Sequence, residues 1–153
     1  MDARPERVNR EYNTMFRLGN ELYHNVAVKM GLSDSAFDIL YALDGLGDGC
    51  LQKDVCAAAS MTKQTVNTSV HKLERAGIVE LRVERGRGTH LYLTQAGRAL
   101  VAERIRPLVA AEEAALADMA PRERAELLRL SHAYLERLRE RVDALPYPEL
   151  GRA

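Results

Sequence analysis

The chain has 153 residues, 46% hydrophobic and 29% charged, with 22 Lys and Arg against 22 Asp and Glu. That length fits one domain, or one domain with dimerisation helices, and the composition is ordinary for a soluble protein. No apolar run is long enough to span a bilayer and the opening Met1-Asp2-Ala3-Arg4-Pro5 leads into no signal-peptide core, so a cytoplasmic location is expected; two cysteines cannot build a disulfide framework.

Residues 6–30 read as one long helix. Val8, Tyr12, Met15, Gly19, Leu22 and Val26 recur at alternating spacings of four and three, a narrow heptad-like seam suited to helix-to-helix packing. Gly31 ends that helix and Ser33 caps the next, which covers about Asp34 to Leu43 and presents Ala36, Phe37, Leu40, Tyr41 and Leu43 to a core. The run Gly45-Leu46-Gly47-Asp48-Gly49 reads as a loop. It lacks the Gly-Lys-Ser/Thr ending of a phosphate-binding loop.

From Leu51 to Thr94 the pattern is a short helix (Gln52 to Ala59), a tight turn at Ser60-Met61, a second helix, and a two-stranded hairpin. Thr62 caps the second helix and Gly77 ends it. Val66, Val70 and Leu73 form its apolar stripe. The other face carries Lys63, Gln64, Thr65, Asn67, Thr68, His71 and Lys72. Amides and hydroxyls can read base edges, and lysines can meet phosphates. After Gly77 the period changes to two: Val79, Leu81 and Val83 alternate with Glu80 and Arg82. Arg85-Gly86-Arg87-Gly88 then forms a cationic hairpin tip able to approach a phosphate backbone or enter a minor groove. A second run through Leu91 and Leu93 leads to Thr94, which caps the following helix.

Between residues 50 and 98 stand eight Lys and Arg against four acids, a charge of +4, so the remainder carries −4. A basic reading head on acidic supports suits a DNA binder that does not adhere to every acidic surface. Beyond the hairpin, a helix from Thr94 to about Met119 should kink or break at Pro107, which has no N–H to donate. Pro121 suits the first turn of a last helix. There Leu127, Leu130, Tyr134, Leu138, Val142 and Leu145 repeat at three and four before Pro146-Tyr147-Pro148 stops it. Two remote amphipathic helices on so small a chain fit a homodimer with interlocked N- and C-terminal helices.

These residues together resemble the MarR family of bacterial transcription regulators. Gln52-Lys53-Asp54-Val55 resembles the first helix of the family's reading head. Thr62-Lys63-Gln64-Thr65-Val66-Asn67 through Lys72-Leu73-Glu74-Arg75-Ala76-Gly77-Ile78-Val79 resembles its recognition helix and exit. Leu91-Tyr92-Leu93-Thr94-Gln95-Ala96-Gly97 resembles the segment leading out of its wing. The resemblance covers nearly the whole chain. It departs at the wing tip, where Arg85 occupies a position that is commonly acidic, two places before the matching Arg87. It departs again at Leu51, where a Ser or Thr cap is common. The resemblance implies a dimer and an effector, often a small aromatic or phenolic anion bound between the dimerisation region and the reading head. Tyr12, Phe16, Tyr23, Phe37 and Tyr41 are candidates to line such a pocket, against the plainer reading of aromatic core.

Catalytic and metal chemistry find little support. His24, His71, His90 and His132 fall in different elements with no metalloprotease spacing, the serines lie in no nucleophile elbow, and no cofactor motif is present. Of the four, His71 is placed on the DNA face and His90 on the wing. Cys56 reads as a small buried core residue. Cys50, at a loop–helix junction, is the candidate for oxidation that shifts the reading head, although structural cysteine is the plainer reading.

The expected fold is therefore mainly α: a winged helix-turn-helix over residues 33–99 with a two-stranded wing, and a helical dimerisation region from residues 1–32 and 100–153. The expected function is a sequence-specific, ligand-responsive repressor that binds a pseudo-palindromic duplex as a homodimer. Gln64, Thr65, Asn67, Thr68 and His71 are assigned to base edges. Thr62, Lys63, Lys72, Arg85 and Arg87 are assigned to phosphates or the minor groove. The alternative is a helical dimer using the winged fold to bind a protein partner, but no aromatic anchor stands on the outer face of the 62–76 helix.

Overall fold

A computed structural model describes residues 4–84 and 88–147. The chain divides into two compact units, Met1–Leu108 and Val109–Ala153. In the first, helix α1 (Pro5–Lys29) begins on a proline, whose missing N–H costs nothing in a first turn. It closes where Gly31 takes φ +71° and the Leu32 N–H reaches the Ala27 carbonyl at 2.9 Å. Ser33 then caps helix α2 (Asp34–Leu46), its hydroxyl accepting the Ala36 N–H at 3.2 Å.

Helix α2 runs three residues beyond Leu43. Gly45 and Leu46 stay helical, and the chain leaves only at Gly47 (φ +96°), whose N–H still bonds the Leu43 carbonyl at 2.9 Å. An interior glycine lowers helical stability by only about 1 kcal/mol, which packing readily outweighs. Helix α2 touches α1, both helices of the helix-turn-helix and the helical segment after the wing. Phe37, Ile39, Leu40, Ala42 and Leu43 are accordingly all buried, while Ala36 and Tyr41 are half-buried.

The two-stranded wing is present, and a third, short strand extends its sheet. Strand β1 (Cys50–Leu51) joins the edge of β3 (Thr89–Leu93), which pairs with β2 (Val79–Val83), in the order β1-β3-β2. The registers are Cys50↔Leu91 and Val79↔Leu93. Gly49 (φ +85°) swings the chain alongside β3 and donates its N–H to the Leu91 carbonyl at 2.8 Å. The Asp48 carboxylate takes the Leu93 N–H at 2.6 Å. A two-residue strand carries no period-two signal, which is why the sequence pattern does not reveal it.

Between β1 and β2 lie α3 (Gln52–Ala58) and α4 (Lys63–Arg75). Helix α4 packs on α2 with Val66, Val70 and Leu73 buried, and the buried Ser69 hydroxyl donates to Ser35 Oγ at 2.7 Å. Ser69→Ala leaves Ser35 without this partner. It is expected to lower stability by about 1 kcal/mol in urea unfolding.

Thr94 turns β3 into α5 (Gln95–Leu100), accepting the Gly97 N–H at 3.0 Å and donating to the Gly77 carbonyl at 2.6 Å. The expected disturbance at Pro107 is present, but it lies upstream. Residues Val101–Ile105 form a π-helical turn in which the Arg106 N–H reaches back to the Val101 carbonyl. The wider turn relieves the crowding between a proline ring and the carbonyl four residues before it. Val101 and Ile105 are buried there. Helix α6 (Arg106–Ala117) follows.

In the second unit, α7 (Pro121–Asp143) starts on Pro121, and Glu123 Oε2 accepts the Ala120 N–H at 2.8 Å. Arg124 donates to the Met119 carbonyl at 2.9 Å, fixing the turn before the helix. Leu127, Leu130, Tyr134, Leu138 and Val142 form an exposed apolar stripe along it. Pro148, expected to help stop this helix, lies outside the described residues.

Candidate nucleic-acid interface

The turn between α3 and α4 is set by Ser60 at φ +52° and by a bond from the Met61 N–H to the Cys56 carbonyl at 3.1 Å. Leu51, at the head of α3, supplies no side-chain cap, as its chemistry implies. Thr62 does cap α4, its Oγ1 accepting the Thr65 N–H at 3.2 Å and lying 2.9 Å from the Thr65 hydroxyl. Thr62→Ala is expected to cost about 1 kcal/mol of stability, read as a lowered midpoint in thermal unfolding.

With Val66, Ser69, Val70 and Leu73 turned inward, the opposite face of α4 is exposed at every position named from the sequence: Thr62, Lys63, Gln64, Thr65, Asn67, Thr68, His71 and Lys72. Several are already oriented. Thr68 Oγ1 donates to the Gln64 carbonyl at 3.0 Å, and His71 Nδ1 lies 3.1 Å from Glu74 Oε2. Lys63, Gln64 and Lys72 extend from the same rigid helix. Arg85 and Arg87, the expected wing-tip cations, lie outside the described residues.

The fold adds residues that sequence spacing does not assemble. Gln52 Nε2 approaches Asn67 Oδ1 at 3.5 Å, joining α3 to the outer face of α4. A cleft of about 450 Å³ opens there, lined among others by Gln52, Lys53, Cys56, Lys63, Asn67 and Thr89. Gln52 and Lys53 therefore belong with the polar, cationic face. The clue in the sequence is the tight turn, which brings the start of α3 beside α4.

On the described wing the charges are largely engaged. Arg82 sits 4.3 Å over the Tyr92 ring and pairs with Glu80 at 2.9 Å, and the Tyr92 hydroxyl donates to Glu84 at 2.7 Å. That last bond favours the protonated phenol and raises its pKa above the ordinary tyrosine value. His90 turns inward, with Nδ1 2.8 Å from the Gly49 carbonyl, which fixes the proton on Nδ1. Its buried Nε2 has no hydrogen-bond partner among the described residues and lies 3.9 Å from Glu84 Oε2. At the wing root, Arg98 donates to the Leu93 carbonyl at 2.7 Å and lies 3.7 Å from Asp48. The same Asp48 carboxylate thus braces the last residue of β3 and the first turn of α5.

The cysteines are both half-buried. Cys56 is not the core residue its sequence context implies: it lines the cleft between α3 and α4. Burial pushes the Cys50 thiol up, with Asp54 and Asp48 adding to the shift. A raised pKa holds the thiol protonated and works against ready oxidation.

Of the five aromatic candidates, three come together. Tyr23 and Phe37 have ring centroids 6.2 Å apart, and Phe37 and Tyr41 5.9 Å. Phe37 is buried in the core. Tyr12 and Phe16 stand on exposed turns of α1 nearer its start. His24, read as an ordinary helix residue, holds Asp34 at 2.9 Å across the α1–α2 corner.

Residues 30–88 match the profile of the MarR family. Solved structures of similar fold include a MarR family regulator from Neisseria meningitidis, with 21% identity, a TM-score of 0.75, and cover of 88% of this chain and 95% of that one. The S. aureus MepR–DNA complex is similar at 21% identity and TM-score 0.66, covering 83% and 97%. A MarR transcriptional regulator from Methanosarcina mazei aligns at 19% identity and TM-score 0.63, covering 90% and 93%. Among curated proteins no sequence matches the chain.

Proposed function

We propose, from the premise that this chain belongs to the MarR family through residues 30–88, that it is a DNA-binding transcriptional regulator working as a homodimer in the cytoplasm. The observation that carries this reading is the outer face of α4. Eight neighbouring hydroxyl, amide, imidazole and ammonium side chains stand exposed on a helix whose other face is locked into the core. A helix so anchored presents donors and acceptors at fixed spacing, which direct reading of a major groove requires. Gln64, Thr65, Asn67, Thr68 and His71 contact base edges; Thr62, Lys63, Lys72, Arg85 and Arg87 contact phosphates or the minor groove. The solved complex of S. aureus MepR with DNA supports this use of the fold.

The homodimer is supported by apolar faces that each unit leaves exposed: Val8, Met15 and Leu22 on α1, and Leu127, Leu130 and Leu138 on α7. Residues 1–32 and 100–153 form the dimerisation region around the reading head at 33–99. The regulator is a repressor, and its effector is a small aromatic or phenolic molecule bound beside the Tyr23–Phe37–Tyr41 cluster.

Fluorescence anisotropy on a labelled duplex tests the assignment. Asn67→Ala is expected to cost about 1–3 kcal/mol, roughly 5- to 150-fold in affinity, on the preferred sequence and much less on unrelated duplex. Lys63→Ala and Arg87→Ala are expected to weaken binding to all sequences and to flatten the salt dependence by about one counterion each. Equal losses for Asn67→Ala on every sequence would remove it from base reading.

A further inference from the structure

Helix α2 carries three carboxylates that face different surroundings. Asp34 is held by His24 at 2.9 Å, and Asp44 by Arg106 at 3.2 Å. Asp38 is half-buried, yet no described residue hydrogen-bonds or pairs with it. It borders a groove of about 370 Å³ between α2 and the end of α3, whose other walls are Tyr41, Ala42, Gly45, Leu46, Ala58 and Ala59. No cation stands among those residues. A carboxylate partly withdrawn from water with no counter-charge is an incomplete arrangement. Burial, with Asp34 one turn away, holds its carboxyl above the usual carboxylate range.

We propose that the α2–α3 groove is a binding site for a small lipophilic monocation, an amine or quaternary ammonium bearing one aromatic or branched apolar group. The positive centre would sit against the Asp38 carboxylate, and the apolar part would cover the side chains of Ala42, Leu46, Ala58 and Ala59. The Tyr41 ring adds an aromatic face of the kind that attracts such cations. The volume lies at the lower end for small-ligand sites and suits a single-ring molecule. The carboxylate disfavours an anion here, so this groove is not the place for a phenolate or benzoate. The site is separate from the outer face of α4 and stands whether or not that face binds DNA.

The test is a titration of the full-length protein with benzyltrimethylammonium, followed by amide chemical shifts, with benzyl alcohol and benzoate as neutral and anionic comparisons. Saturable shifts at Asp38, Ala42, Ala58 and Ala59 for the cation alone are expected. Asp38→Asn should weaken that binding at least about 10-fold. Ala58→Leu should abolish it by filling the groove with the charge retained, which decides the matter should Asp38→Asn fold poorly. Duplex affinity of Asp38→Asn should match the parent, so loss of cation binding and loss of DNA binding are read separately. The site is overturned by an absence of saturable shifts, by equal binding of benzyl alcohol, or by undiminished binding to Asp38→Asn. Concentration-dependent shifts at the same amides without any probe would overturn it too, by making the groove a contact between copies.

Discussion

Gly97→Ala is expected to destabilise the reading head by about 3 kcal/mol or more. A Cβ at residue 97 would collide with the Ile78 carbonyl oxygen and lie 3.1 Å from Leu93 Cδ2. The first of these is backbone, held in place because the Ile78 carbonyl accepts the Thr94 N–H at 3.0 Å and the Thr94 hydroxyl at 3.2 Å. No side-chain rotation relieves the clash. Either α5 lifts off the strand exit or the Thr94 cap breaks, and each separates the wing from the helix that follows it. Urea unfolding reads the loss directly. A midpoint within experimental scatter of the parent would mean that α5 shifts freely against β2, contrary to the packing of Gly97 as a buried residue.

The second large effect concerns assembly. Leu22 on α1 and Leu138 on α7 are 62% and 41% exposed in the single chain, which leaves much of their apolar surface in water. In the proposed dimer both are covered. Leu22→Asp combined with Leu138→Asp would place charges without partners in that interface. Sedimentation should then show a folded monomer with helical content unchanged. Affinity for a two-half-site duplex should fall by about 100-fold or more, because the second reading head no longer binds at the effective concentration set by the first. A variant that still sediments as a dimer would move the interface away from these two faces.

Much of this architecture is legible in the sequence because the relevant signals are local. Thr62, Ser33 and Thr94 are caps by chemistry and are caps in the structure, and Gly31 and Gly77 occupy the left-handed positions their placement implies. The face of α4 follows from its period: once Val66, Val70 and Leu73 turn inward, Gln64, Asn67, Thr68 and His71 must turn out. What the sequence conceals is tertiary. Strand β1 exists only because Gly49 and Asp48 bring two residues against β3. The continuation of α2 through Gly45 overrides local propensity. Gln52 joins the candidate interface only through the turn that sets α3 beside α4. The half-exposed setting of Cys56 and the place of Asp38 beside a groove likewise depend on which helices become neighbours, and no spacing along one chain encodes that.

Selection of a random duplex pool on the purified protein, followed by salt titration of the enriched sequences, tests the central claim most directly. The proposed regulator should enrich an inverted repeat with half-site centres about one helical turn, roughly 34–36 Å, apart. Its affinity should fall steeply with salt. Absence of any retained duplex at low salt would contradict DNA binding by the α4 face.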